Sequence, residues 1–265
     1  MSYIASISYG KDSLKMLDVI KSRRLPLDRI ITFDVWATDT ILAEFPKVTE
    51  FKNKVDYYIK GKYGIAVEHL CAKGENGRKV TYESLFYRVF DEGKNEGRIY
   101  GFPFLRGPWC NSGLKMAARI GAIQPGDVEY IGIAYNEKKR HKIISETKIA
   151  PLVDFEVDEE LCGLHCNYEG ILSPTYDDGY RDGCWFCHNQ SVGQLRLLRK
   201  RYPQLWALLL KWDKDSPVSF RSDGHTVHDF EKRFQLEDDG LIFPEDHFKW
   251  SMLHEPFQLR MPLFF

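Results

Sequence analysis

A short polar segment near the start of the chain, Ser-Tyr-Gly-Lys-Asp-Ser, combines residue types that bind phosphate. Gly10 lets the backbone approach a phosphate closely, Lys11 supplies a fixed cation, and the hydroxyls of Ser8 and Ser13 can donate hydrogen bonds. Asp12 can cap a following helix or, with a metal ion, help to place a pyrophosphate. The segment predicts a phosphate-binding loop.

Two common phosphate motifs do not occur in the chain. It has neither the Walker pattern G-x-x-x-x-G-K-S/T nor the dinucleotide pattern G-x-G-x-x-G. The simpler alternative to a binding loop is a capped helix after a strand, with Lys11 on its first turn by chance. The residue chemistry favours the binding loop, because phosphate recognition accounts for every residue type in it.

The cysteines are a second group with chemical potential. Cys184 and Cys187 form a C-x-x-C pair, a spacing that lets both sulfurs reach one metal ion. The predicted ligands are Cys110, Cys166, Cys184 and Cys187, with Cys162 or His165 as substitutes. Cysteine ligands suit either zinc or a 4Fe-4S cluster. The alternative, free buried thiols, is favoured for Cys71.

Alternating apolar strands and amphipathic helices must position these groups. Strands are predicted at 3–8, 29–36, 65–72 and 128–136, and helices at 11–23, 48–64, 81–93, 111–123 and 191–215, the last interrupted near Pro203. This order predicts an α/β fold, an open and mostly parallel sheet with helices on both faces. We expect a nucleotide-binding domain over 1–155 and a cysteine-containing, largely helical region over 156–265.

Composition excludes some classes of partner. The chain has 265 residues, 43% hydrophobic and 28% charged, with a net charge of -1, so no global basic field points to nucleic acid. No apolar run approaches the roughly 18–20 residues of a membrane span, and the start lacks a secretory pattern, which predicts a cytoplasmic protein. The basic segment 196–206 could contact a nucleic acid backbone, although a solvated helix face is the favoured explanation.

The loop resembles the S-G-G-K-D-S loop of the PP-loop superfamily of ATP pyrophosphatases, with Tyr9 at the position of the first glycine. Further segments resemble, in order, elements of the phosphoadenosine phosphosulfate (PAPS) reductase-like family. They are AEFPKVTEF (43–51), PWCNSGLK (108–115), IGIAYNEKKRHK (131–142) and GILSPTYDDGYRDGCWFCHNQ (170–190). The resemblance spans residues from about 5 to about 205.

This resemblance implies an adenine nucleotide alpha hydrolase-like fold that binds ATP, or a related adenine nucleotide, with Mg²⁺. The phosphates would lie on the loop, including Tyr9, and the adenine near Phe33 and Asp34. Gly132 falls in a matching element, and Lys115 and Arg140 would neutralise phosphate charge. The resemblance favours a 4Fe-4S cluster over zinc.

The function predicted from these features is cleavage at the α-phosphate, with adenylation of an acceptor and release of pyrophosphate, to which sulfur transfer could be coupled. One alternative is a PAPS or adenylyl sulfate (APS) reductase, which is disfavoured because no cysteine follows Cys187. Another is a non-catalytic nucleotide- or nucleic-acid-binding module that a metal site holds together. The candidate acceptors are DNA, RNA, a small metabolite and a sulfonucleotide.

Overall fold

A computed structural model describes residues 1–104, 107–176, 183–244 and 248–253. The chain divides into two compact units. The first is Met1–Leu85 with Pro108–Cys184, and the second is Phe86–Gly107 with Trp185–Phe265. The predicted domain boundary after residue 155 stays a prediction.

The first unit is built on a five-stranded sheet. Its strands are β1 (Tyr3–Ser6), β2 (Arg29–Phe33), β3 (Val67–Leu70), β4 (Val128–Ile131) and β5 (Lys148–Ile149). Their order is β3-β2-β1-β4-β5, and every neighbouring pair is parallel. The predicted open parallel α/β fold is confirmed.

Helices of the first unit join and cover the strands. They are α1 (Lys11–Ser22), α2 (Pro46–Tyr63), α3 (Tyr82–Phe86), α4 (Ala117–Ala122), α5 (Pro151–Asp154) and α6 (Glu159–Tyr168). A π-helical segment, Asn111–Met116, leads into α4, and a 3₁₀ segment, Lys138–Ile143, follows β4. Apolar residues of α1, α2, α5 and α6 pack in one core with Ala5 and Tyr130.

The other face of the sheet is also covered. Successive side chains of a strand point to opposite faces, so Glu129 lies on the face away from Tyr130. There Glu129 is bound by Arg119 of α4 and accepts a hydrogen bond from Ser6 at 2.6 Å. Helices therefore lie on both faces, as the sequence predicts.

The strand order creates a switch point beside β1. The chain passes from β1 through α1 to β2 on one side, whereas the neighbour on the other side is β4. In open parallel sheets, ligands bind beyond the carboxyl ends of the strands at such a point. The loops after β1 and β4 are therefore where a ligand is expected.

The predicted helix 81–93 is wrong beyond Phe86. From there the backbone pairs antiparallel with a later segment, through hydrogen bonds from Phe90 N–H to the Arg98 carbonyl and from Tyr100 N–H to the Arg88 carbonyl, both 2.9 Å. The connecting turn contains Gly93 and Gly97 in left-handed conformations. These glycines favour a chain reversal over continuation of a helix.

The second unit is largely helical, as predicted. It contains α7 (Val192–Arg201), α8 (Pro203–Asp215), α9 (Val227–Asp238) and a short 3₁₀ segment, Trp250–Leu253. Pro203 opens α8, so the interruption predicted near this residue is confirmed. The core is aromatic, with Trp185 stacked on Trp212 at 5.5 Å between ring centroids. None of the helices in the described parts of the chain is long and apolar enough to cross a membrane.

Candidate functional site

The predicted phosphate loop lies at the switch point, between β1 and α1. Gly10 is the residue before α1, and no side chain caps the amides of the first turn. These amides and the helix dipole favour an anion at this end. The hydroxyl of Ser13 closes the loop, because it donates to the Gly10 carbonyl at 2.9 Å and accepts from the Ser8 N–H at 3.2 Å.

The charged residues of the loop are held against α6. Lys11 Nζ lies 3.1 Å from Asp12 Oδ1 and 3.4 Å from Glu159 Oε2. Burial lowers the pKa of Lys11, but the carboxylates of Asp12 and Glu159 outweigh it and raise that pKa above its ordinary value. The loop therefore presents a permanently charged ammonium group at the amino end of α1.

Two thiols of α6 lie beneath the loop. Cys166 Sγ donates to the Lys11 carbonyl at 3.5 Å, and both Cys162 and Cys166 are completely buried. Burial raises the pKa of Cys166 to about 12, and burial and the nearby Asp12 carboxylate raise the pKa of Cys162 further. Both cysteines are therefore protonated core residues at neutral pH.

The segment after β4 touches the loop from the other side. A Cβ atom at Gly132 would lie 2.7 Å from the Cα of Ser13, 2.8 Å from its nitrogen, and 3.1 Å from the carbonyl carbon of Asp12. These are backbone atoms that cannot rotate away. Gly132, predicted as part of the nucleotide site, is therefore in contact with the loop, and only glycine fits this approach without displacing backbone.

Tyr9 is the unusual residue of the loop. Its backbone is left-handed, with φ at 59°, and its side chain is buried. The hydroxyl donates to Asp56 Oδ1 and lies 3.2 Å from His69 Nε2. Lys52 Nζ lies 4.9 Å from the centre of the ring. The loop is thus attached to α2 and β3 through one side chain.

The residues predicted near the adenine end β2. Phe33 is the last residue of β2, and Asp34 follows it. Asp34 accepts from His69 Nδ1 at 2.8 Å and from Lys52 Nζ at 3.3 Å. Burial opposes ionisation, but these partners keep the pKa of Asp34 below its ordinary value. The Asp34 carboxylate is therefore ionised, and it is already bonded to His69 and Lys52.

The two further cations predicted to meet phosphate lie on other segments. Arg140 is in the 3₁₀ segment after β4, where its guanidinium donates to Glu137 at 2.9 Å, and it is half-exposed. Lys115 is exposed on the π-helical segment. Their roles in binding phosphate stay predictions.

The predicted metal ligands Cys110, Cys166, Cys184 and Cys187 stay a prediction. In the described residues, no group of three or more histidine, cysteine or acidic side chains could hold a metal ion. Cys110, Cys184 and Cys187 are partly exposed, whereas Cys166 is buried and bonded to a carbonyl. Cys166 donates to the Lys11 carbonyl in this structure, and its role as a cluster ligand stays a prediction. Residues 177–182, within the segment 170–190 that contains Cys184 and Cys187, lie outside the described residues.

Two arginines in the basic segment of α7 are paired within their own unit. Arg196 donates to Glu237 at 2.8 Å, and Arg199 donates to Glu231 at 2.9 Å and to Asp238 at 2.6 Å. All three acidic residues belong to α9. These pairs support the interpretation of α7 as an ordinary helix face.

Sequence reasoning missed four residues that hold the loop: Lys52, Asp56, His69 and Glu159. Only Lys52 had a signal in the sequence. It lies in the helical stripe that also contains Val55 and Ile59, so a charged residue occupies a buried position of α2. A lysine in a buried stripe requires acidic partners, which here are Asp34 and Glu44.

No family model and no curated protein matches the chain. Among solved structures, the chain is similar to "U34-tRNA thiolase NcsA from Methanococcus maripaludis with its [4Fe-4S] cluster", at 14% identity and a TM-score of 0.37. The match covers 87% of this chain and 80% of that chain. Correspondence at this level assigns no role to any residue.

Proposed function

We propose that the chain is a PP-loop enzyme that binds ATP on the loop from Ser8 to Ser13 and transfers AMP to an acceptor, with release of pyrophosphate. The observation that carries this proposal is the placement of the loop. It opens α1 at the switch point of the sheet, with Lys11 beside uncapped amides and Gly132 against its backbone. This combination favours a phosphate chain.

The chemical step needs charge stabilisation more than it needs a nucleophilic side chain. An acceptor oxygen attacks the α-phosphorus, the bond from that phosphorus to the β-phosphate oxygen breaks, and pyrophosphate leaves with its Mg²⁺. The acceptor proton passes to water. Lys11 and the amides of the first turn of α1 would hold the negative charge that moves onto the leaving pyrophosphate. Asp12 lies beside Lys11 and fixes the direction of its ammonium group.

The resemblance to the PAPS reductase-like family supports an adenine nucleotide as the substrate. Sulfur transfer to the adenylated acceptor is the form of the proposal in which the cysteines have a role. No step above passes through a metal centre. The proposed acceptor is a nucleic acid or a small metabolite.

Product analysis tests the proposal. Protein, MgATP and candidate acceptors in turn are followed by phosphorus NMR, with tRNA, DNA and small metabolites as acceptors. Equal amounts of AMP and pyrophosphate are expected with the correct acceptor, and Lys11→Met should abolish both. Formation of ADP and phosphate, or unchanged AMP formation by Lys11→Met, would contradict the proposal.

A further inference from the structure

The phosphate loop contains a tyrosine in a backbone conformation that favours glycine. Tyr9 has φ at 59°, and a non-glycine residue in this region is strained by contact of its Cβ with the backbone. The motif that the loop resembles has glycine at this position. Something in this chain must hold Tyr9 in place.

The side chain of Tyr9 is fixed by burial and by hydrogen bonds. Its ring is buried, with 2% of the residue exposed, and its hydroxyl donates to Asp56 of α2 and contacts His69 of β3. His69 Nε2 is also 3.0 Å from Asp56 Oδ2, so Tyr9, Asp56 and His69 form a closed triangle. A hydroxyl bonded to a carboxylate is among the stronger neutral-to-charged hydrogen bonds.

The triangle is supported by a wider set of charges. The other nitrogen of His69 is 2.8 Å from Asp34, and Lys52 lies between Asp34 and Glu44 at 3.3 and 2.7 Å. Hydrogen bonds to Asp34 and Asp56 raise the pKa of His69 to about 9. Asp34 from the end of β2 and Asp56 from α2 bond to His69, and Lys52 of α2 and Glu44 are connected to it through Asp34.

We propose that Tyr9, Asp56 and His69 are positioning residues that lock the phosphate loop in its left-handed conformation and so set its affinity for the nucleotide. This proposal rests on the proposed function, because it assigns a purpose to that loop. A loop with glycine in place of Tyr9 would have to lose backbone freedom when phosphate binds. The tyrosine makes that ordering part of folding, so that the free protein already presents the amides in place.

Two variants separate the hydroxyl from the backbone. Tyr9→Phe keeps the ring and the strained backbone but removes the bond to Asp56, whereas Tyr9→Gly removes the strain and the anchor together. Tyr58→Phe is the matched control. Tyr58 is on the same helix α2 as Asp56, and its hydroxyl donates to Glu169 and not to Asp56 or His69.

The first measurement needs no nucleotide. Amide hydrogen exchange of peptides that cover residues 8–13 should be faster in Tyr9→Phe and faster still in Tyr9→Gly than in the wild type, with Tyr58→Phe unchanged there. Equal exchange in all four proteins would overturn the anchor whether or not the chain binds ATP.

The second measurement is the affinity for MgATP by calorimetry between pH 7 and 10. Tyr9→Phe should bind roughly tenfold more weakly at pH 7. The wild type should lose affinity as the pH passes about 9, where His69 gives up its proton, and this decline should be reduced in Tyr9→Phe. Wild-type affinity in Tyr9→Gly would overturn the anchor. If the wild type binds no ATP while the exchange differences are present, the proposed function fails and the anchor stands.

Discussion

Gly132 gives the sharpest prediction about how the fold positions the loop. In Gly132→Ala the added methyl would lie 2.7 and 2.8 Å from the Cα and nitrogen of Ser13 and 3.1 Å from the carbonyl carbon of Asp12. Carbon atoms make optimal contact at about 3.5–4.0 Å, so the loop or the end of β4 must move by close to 1 Å. Overpacking of this kind destabilises by about 1–3 kcal/mol, and the upper end applies because all three contacts are with backbone.

Gly121→Ala is the matched control. Gly121 lies in α4, and a Cβ there would have no neighbour within 4 Å. Alanine in a helix interior is more stable than glycine by about 1 kcal/mol, so this variant should be neutral or stabilising. Urea unfolding gives the free energies, and calorimetry gives the affinity for MgATP. Gly132→Ala should lose both stability and affinity, and wild-type values for both would refute the close approach of β4 to the loop.

Three further predictions concern the charges and thiols around the loop. Glu159→Gln should tighten MgATP binding roughly two- to fivefold, because an exposed ion pair that competes for Lys11 contributes about 0.2–1 kcal/mol. Calorimetry gives the affinities, and Glu160→Gln should show no change. The pKa of His69 is about 9 in the folded protein and 6.5 ordinarily, so the stabilisation by its charge is complete below pH 6.5 and is lost as the pH rises through 9. Urea unfolding should show that the free energy of unfolding decreases by about 1–2 kcal/mol over that range, after allowance for partial exposure. This decrease should be missing in His69→Gln. Cys166 is buried and bonded to the Lys11 carbonyl, whereas Cys184 is partly exposed. Cys184→Ser should therefore lower the iron and zinc content of anaerobically purified protein more than Cys166→Ala, and a larger loss of metal from Cys166→Ala would contradict this order.

The parallel sheet was predictable because its strands are short apolar runs that alternate with amphipathic helices. The end of the predicted helix 81–93 was not predictable. Its apolar residues Leu85, Phe86, Val89 and Phe90 have helical spacing, although the last two pair antiparallel with a later segment. Spacing records which residues are apolar, and it does not record the tertiary partner that decides between helix and strand.

The candidate site was predictable where a residue type has a local purpose. Gly10 and Lys11 identify a phosphate loop from their own chemistry. The supports of the loop come from distant parts of the chain, such as His69 on β3 and Glu159 on α6, and their side chains are common on protein surfaces. Only the folded chain shows that they converge on one segment.

The central claim is that the loop between β1 and α1 binds the phosphates of an adenine nucleotide. The most direct measurement is calorimetric titration of the wild-type protein and Lys11→Met with MgATP and with its α,β-methylene analogue, which cannot be cleaved at the α-phosphate. We predict that both ligands bind the wild type and that Lys11→Met weakens both by roughly tenfold or more, the effect of losing a charged hydrogen bond. Absence of binding by the folded wild type, or equal affinity in Lys11→Met, would contradict the claim.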